Sequence, residues 1–262
     1  MTTWSRDIPC AHLILSPNSF FTDLDTLSQF DYLINQMDTP YVDLTLNHWP
    51  TSPASPTVDP LCDPKKPTYD AKGCRLSTWS ALVSIWKSGK SLAIGVANYG
   101  ISDIQEIIDA GMPLPTVNQI PFHLYNAQSQ MELIAFCKVH NIVVLSYSPL
   151  GIPDWHAYPS QMPAKTTLED PVLMQVAAAH GISPAQTALA WIWSLGLPMN
   201  PRSMNATHMQ ENLDAYKVTL TVDEIKALSN RPLDLCSFDG SFYECVPTPG
   251  VKAPPHPFAK RA

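Results

Sequence analysis

A TIM-type (β/α) barrel, in the α/β class, is the fold this sequence predicts, and three observations carry the prediction. Short runs rich in β-branched and apolar residues recur along the chain with helical patterns between them, which is the signature of parallel β-α units. The 262 residues suit one large α/β domain with a sizeable core. No G-x-G-x-x-G turn follows the first run or any other, so an open doubly wound sheet of the dinucleotide-binding kind is disfavoured.

The strand-like runs are His12-Leu-Ile-Leu-Ser16, Tyr41-Val-Asp-Leu-Thr-Leu46, Leu92-Ala-Ile-Gly-Val-Ala97, Thr116-Val-Asn-Gln-Ile120 and Ile142-Val-Val-Leu-Ser146, with a weaker sixth near 197–203. Between them, apolar residues repeat at helical spacing: Leu24, Leu27, Phe30, Leu33 and Ile34; then Leu76, Trp79, Leu82, Val83 and Trp86; then Leu133, Ile134, Phe136 and Cys137. These stripes are read as core. Ser183-Pro-Ala-Gln186 is a capping box with proline at the first helical position, and Gly196 is the stop of that helix. Thr221-Val-Asp-Glu224 is a second capping box.

Composition narrows the function. A formal net charge of -7 without any Lys/Arg-rich run argues against a nucleic-acid or anionic-membrane partner and leaves a small molecule as the expected one. No stretch reaches the roughly eighteen apolar residues of a membrane helix, and the opening Met-Thr-Thr-Trp-Ser-Arg-Asp lacks an apolar signal core, so a soluble, cytoplasmic protein is expected. The six cysteines contain no C-x-x-C pair and are expected to be reduced thiols, with a Cys62–Cys74 bridge across a loop as the alternative. No metal site is expected. The 26 prolines cluster at 50–67 and 247–257, which divides the chain into a barrel over 1–235 and a Pro-rich loop and tail over 236–262.

In a β/α barrel the chemistry sits where strands end, so the residues just after each run are the ones to inspect. They are Asn47-His48, Asn98, Gln119 with His123, Tyr147-Ser148 and Arg202-Ser203. In order, Tyr41-Val-Asp-Leu-Thr-Leu-Asn-His-Trp-Pro50, Ala93-Ile-Gly-Val-Ala-Asn98, Val117-Asn-Gln119, Leu145-Ser-Tyr-Ser-Pro-Leu-Gly151 and Pro201-Arg-Ser203 with Glu211-Asn212 resemble successive motifs of the aldo-keto reductases. The likeness covers about residues 5–230.

The resemblance implies a barrel that binds NADP(H) across its C-terminal face. It gives Asn98 and Gln119 the nicotinamide carboxamide, Tyr147 the ring by stacking, and Ser148 and Leu150 the pyrophosphate. Arg202 and Ser203 would grip the 2'-phosphate, and Glu211 and Asn212 would contact the adenine. Each residue type suits its role: an amide offers donor and acceptor to a carboxamide, and a guanidinium grips phosphate bidentately. Ala97 stands where the family motif has serine, which removes one hydrogen bond worth about 1 kcal/mol.

The same resemblance calls for an Asp, a Tyr proton donor, a Lys and a His at the reacting carbonyl. Only His48 is matched. The lead-in Arg6–Ser16 resembles the approach to the family's third strand, so the first two β-α units are expected to be absent. Leu15-Ser16-Pro17 stands where the lysine belongs, and the first lysine is Lys65. A missing acid costs a factor of roughly 10² to 10⁴. Six strands leave an eight-strand barrel with open edges, which calls for an incomplete chain, a rearranged sheet or an oligomer covering the gap.

The expected function is therefore NADP(H)-dependent carbonyl/alcohol chemistry on a bulky metabolite with His48, as imidazolium, donating the proton. Tyr99, Tyr125 and Tyr147 are the nearest hydroxyls. Trp49, with Trp155, Phe238, Phe242 and Tyr243, is a candidate lining for an apolar substrate pocket. Two further readings stay open: a redox-neutral cyclase, isomerase or dehydratase using His48 as acid/base, and a non-catalytic remnant that binds nucleotide or a partner.

Overall fold

The computed structural model describes residues 12–15, 23–50, 62, 67–151, 167–231, 237–238 and 243–244. The chain forms two compact units, residues 1–119 and 120–262. Trp155 and Phe242, and the cysteines at 10, 236 and 245, lie outside the described residues.

In the first unit, β1 (His12–Leu15), β2 (Val42–Asn47), β3 (Ser91–Ala97) and the start of β4 (Val117–Pro121) run parallel. The register places Leu15 beside Asn47, Asn47 beside Val96, and Ala97 beside Gln119. The strand ends therefore finish in step, and the residues that follow them emerge from one edge. Val42, Leu44, Thr45, Leu46 and Asn47 are all buried, as expected of a parallel strand covered on both faces. Gly95 is required by this pairing, because a Cβ there would lie 2.6 Å from the Val117 carbonyl and 2.7 Å from Leu46.

Helices α1 (Asp23–Gln36), α2 (Ala71–Lys87) and α3 (Ile101–Asp109) make the connections. The stripes expected as core are buried at Phe30, Ile34, Trp79, Leu82 and Val83. Leu27, Leu33, Leu76, Leu133, Ile134 and Phe136 are half-buried, and Trp86 is 42% exposed. Trp86 stands in the last turn of α2. Asp70 caps α2 by accepting from the Gly73 N–H, and Trp79 Nε1 donates to the Pro113 carbonyl at 2.8 Å. Arg75 reaches from α2 to α3 with a bidentate grip on Glu106, at 2.9 and 2.7 Å.

The expectation of reduced thiols fails at Cys62 and Cys74, which form a disulfide with Cα atoms 5.3 Å apart. The bridge ties Cys62 to the first turn of α2. Closing a loop over a sequence separation of 12 removes unfolded-state entropy worth about 3 kcal/mol.

In the second unit, α4 (Ala127–Val139) and β5 (Val143–Tyr147) precede α5 (Pro171–His180), α6 (Pro184–Ser194), α7 (Ala206–Asp214) and α8 (Val222–Ser229). A short hairpin follows, β6 (Ser237–Phe238) against β7 (Tyr243–Glu244). The continuation of β4 lies beside β5, with the Phe122 N–H donating to the Tyr147 carbonyl. The weak sixth strand is a single bridge, Ser146 with Met199, held by Ser146 N–H to the Pro198 carbonyl and Asn200 N–H to the Ser146 carbonyl. The buried face of α6, Thr187 to Ile192, fills the core, where Trp191 stacks on Phe122 with centroids 5.5 Å apart. No helix among the described residues is long and apolar enough to cross a membrane.

Candidate functional site

In the first unit, candidate residues stand at the ends of β2, β3 and β4. Asn98 follows β3 in the left-handed conformation (φ 64°), which asparagine tolerates better than most residues. Its N–H donates to the Gln119 carbonyl at 2.9 Å, and its Nδ2 donates to the His48 carbonyl at 2.8 Å. Asn98 is fully buried and Gln119 nearly so. Asn98 thus spends one amide hydrogen on the backbone of His48, whereas the resemblance assigned its side chain to a cofactor alone.

His48 is half-buried after β2, its ring against that of Trp49 with centroids 5.6 Å apart. Its Nδ1 is buried and has no hydrogen-bond partner among the described residues. Burial lowers its pKa from 6.5, so the ring is neutral at pH 7. This revises the expectation of an imidazolium donor: a neutral ring offers one N–H and one lone pair.

The hydroxyls near hand are committed elsewhere. Tyr99 is buried, its oxygen accepts from Asn47 Nδ2 at 2.8 Å, and burial raises its pKa well above the ordinary phenol value. Asn118 Nδ2 holds the Tyr99 carbonyl at 2.9 Å.

In the second unit, Tyr147 ends β5, half-buried, and Ser148 follows with φ 49°. Leu150 is also half-buried. Gly151 closes that turn with φ 79°, its N–H donating to the Ser148 carbonyl; a Cβ on it would collide with Thr167 Oγ1. Arg202 is exposed. Ser203 Oγ accepts from the Asn205 N–H at 3.1 Å, and Asn205 caps α7 through Thr207 and His208. Glu211 and Asn212 lie within α7, both partly exposed. Tyr125 donates to Asp170 Oδ2 at 3.2 Å, which removes it as a free acid.

His123 Nδ1 accepts from the Tyr125 N–H at 3.3 Å, so that nitrogen carries no hydrogen. Burial pushes its pKa down to about 4. A histidine depressed on folding is protonated first in the unfolded chain, so stability rises with pH between about 4 and 6.5 and is lost as pH falls through that window. The full shift is worth about 3 kcal/mol. Urea midpoints at pH 4.5 and 7 should differ accordingly, and His123→Phe should flatten the difference. An unchanged pH slope in His123→Phe would assign the acid sensitivity to another group.

Among the residues that sequence reasoning did not assign, Asn47 matters most. It ends β2 beside His48, and its strand-end position marked it for inspection without giving it a role.

Parallel β-α units, with amide and imidazole side chains at the strand ends of the first unit, place the chain in the α/β-barrel class. The chain belongs to the aldo/keto reductase family, whose model matches residues 21–230. It is 34% identical over 205 residues to aldo-keto reductase family 4 member C11 of Arabidopsis thaliana, covering 77% of this chain and 61% of the relative. It is 31% identical over 207 residues to the aldehyde reductase YPR1 of Saccharomyces cerevisiae, covering 75% and 62%. The chain thus spans about three-fifths of the length of these relatives.

The crystal structure of an aldo/keto reductase from Brucella melitensis superposes with a TM-score of 0.65 at 29% identity, covering 83% of this chain and 71% of that one. A Bombyx mori aldo-keto reductase solved in complex with NADP shares the fold, with a TM-score of 0.69 at 23% identity over 85% of this chain and 67% of its own. The expected barrel class stands on these neighbours.

Proposed function

We propose that this chain carries the dinucleotide grip and the substrate-facing histidine of an NADP(H)-dependent oxidoreductase acting on the carbonyl or alcohol of a bulky small molecule. The observation that carries the reading is His48: an imidazole fixed through its backbone by Asn98, kept neutral by burial, with a buried nitrogen that no described residue satisfies. An unsatisfied buried polar atom costs about 1–3 kcal/mol.

The residues present fit the dinucleotide. Gln119 keeps a buried amide with donor and acceptor, Tyr147 offers an aromatic face, and Ser148 and Leu150 belong to a turn that Gly151 closes in the left-handed conformation. Arg202 and Ser203 stand just before the N-terminus of α7, where charge and helix dipole both favour phosphate. Glu211 and Asn212 supply polar groups for the adenine. When bound, the dinucleotide supplies a hydride equivalent. His48 donates a hydrogen bond to the substrate oxygen and orients it, and Trp49 bounds the substrate side.

Titration with NADPH, followed by nicotinamide fluorescence, tests the reading. Saturable binding is expected, and Arg202→Ala should weaken NADPH more than NADH, by about 1.5–3 kcal/mol for a lost charged hydrogen bond. An absence of binding would remove the dinucleotide from the reading. A redox-neutral reaction using His48 is the second reading, favoured by Leu15-Ser16-Pro17 at the end of β1, where no lysine stands. Turnover indifferent to added nicotinamide would select it.

A further inference from the structure

The strand-end histidine sits in an unusual mounting. Asn47, 8% exposed, ends a strand whose other inward residues are apolar or hydroxylic, and burying an amide there is unfavourable unless its hydrogens are used. Asn47 Nδ2 donates in two directions, to the Trp49 carbonyl at 3.1 Å and to the Tyr99 hydroxyl at 2.8 Å. Asn98 Nδ2 donates to the His48 carbonyl between them. Two consecutive carbonyls, on the histidine and on the residue after it, are thus pinned by two different side-chain amides.

Tyr99 is in turn fixed at both ends. Its hydroxyl holds Asn47 and its carbonyl accepts from Asn118 Nδ2. The chain beyond it is tied by the Gly100 N–H donating to Asp103 Oδ2 at 2.9 Å, and Asp103 lies 3.6 Å from Arg75. On the path from the α2–α3 ion pairs to His48, Arg75, Asp103 and Gly100 are half-buried, and Tyr99, Asn47, Asn98 and Asn118 are buried. A backbone carbonyl after a strand is ordinarily satisfied by solvent. Here the protein spends buried amides on it instead, which fixes the origin from which the imidazole projects.

We propose that Asn47 and Tyr99 are positioning residues for His48: the Asn47–Tyr99 hydrogen bond locks the 48–49 backbone so that the imidazole has one orientation toward the substrate. The proposal rests on the reading of His48 as the substrate-facing group, but its first readout is independent of activity. A misplacement of about 1 Å at a reacting group costs up to about a hundredfold, so such a lock has a measurable consequence.

The test is NMR of the full chain labelled in its histidine rings, with the His48 signals identified by their loss in His48→Gln. Tyr99→Phe removes one hydroxyl from an unchanged ring and is expected to shift and broaden the His48 signals. Asn47→Leu, which loses both donations, should do so more strongly. Thr45→Val is the control: it breaks a buried 2.8 Å bond to Ser91 on the same strand and should lower the Tm without moving His48. If NADPH turnover is present, kcat in Tyr99→Phe should fall roughly tenfold to a hundredfold with KM for NADPH unchanged. His48 signals unmoved in Tyr99→Phe, or moved equally by Thr45→Val, would overturn the proposal. Absence of turnover alongside shifted signals would count against the oxidoreductase reading and leave the positioning intact.

Discussion

Asp170→Ala is expected to cost about 3–5 kcal/mol, enough to unfold the second unit at a temperature where the wild type is fully folded. Asp170 is 1% exposed and carries four obligations at once. Oδ1 accepts from the Val172 and Leu173 N–H groups, at 2.9 and 3.1 Å, and so caps α5. Oδ2 accepts from Arg231 Nε at 2.9 Å and Nη2 at 2.8 Å, and from the Tyr125 hydroxyl at 3.2 Å. Alanine would leave a mostly buried guanidinium without its counter-charge, two helix N–H groups without an acceptor and a phenol without a partner. The loss of the cap alone is worth about 1 kcal/mol, so the unpaired charge dominates. Asp170→Asn keeps an oxygen for the cap and loses the ion pair, and should therefore fall between wild type and alanine. Urea unfolding followed by tryptophan fluorescence reports this through Trp191, which lies in the same core. A wild-type midpoint for the alanine variant would show that Arg231 finds another partner.

None of this was legible from the sequence, and the reason is physical. Tyr125, Asp170 and Arg231 are separated by 45 and 61 residues, and no local period relates them. Arg75 with Glu106 escaped for the same reason, whereas the Cys62–Cys74 bridge was legible only as the alternative to reduced thiols. What local chemistry dictates was readable. Ser183 and Gln186 form the expected reciprocal cap, as do Thr221 and Glu224, because each motif closes within one turn. Gly196 stands just past α6 with φ 76°, as a left-handed stop requires. The five strand runs appear within a residue of their expected bounds. They slip by one at β2, β4 and β5 because hydrogen bonding to the neighbouring strand, rather than apolarity, decides where pairing ends. The sixth run shrinks to the Ser146–Met199 bridge because Pro198 and Pro201 interrupt any longer ladder. Of the candidate site, residue types and order were legible. Asn98's bond to the His48 backbone and the neutral state of the imidazole depend on burial and on cross-strand register, which composition does not carry.

His48→Ala is expected to lower kcat by a factor of roughly 10² to 10³, the usual worth of a positioned hydrogen-bond donor at the reacting oxygen, while NADPH affinity stays unchanged. Stability should move the other way or not at all. The wild type buries Nδ1 without a partner among the described residues, a penalty of about 1–3 kcal/mol that alanine abolishes, against the packing lost beside Trp49. A Tm equal to or above wild type together with a large loss of turnover is the signature of a residue kept for chemistry. The pH profile separates the two ways in which the ring could act. Because burial holds its pKa below 6.5, a neutral His48 that orients the substrate gives kcat/KM independent of pH from about 6.5 to 8. An imidazolium donor would instead make kcat/KM fall about tenfold for each pH unit above that pKa. The flat profile is the expected result. A falling one that His48→Ala removes would restore the proton-donor role, and turnover that survives in His48→Ala would move the chemistry to another residue.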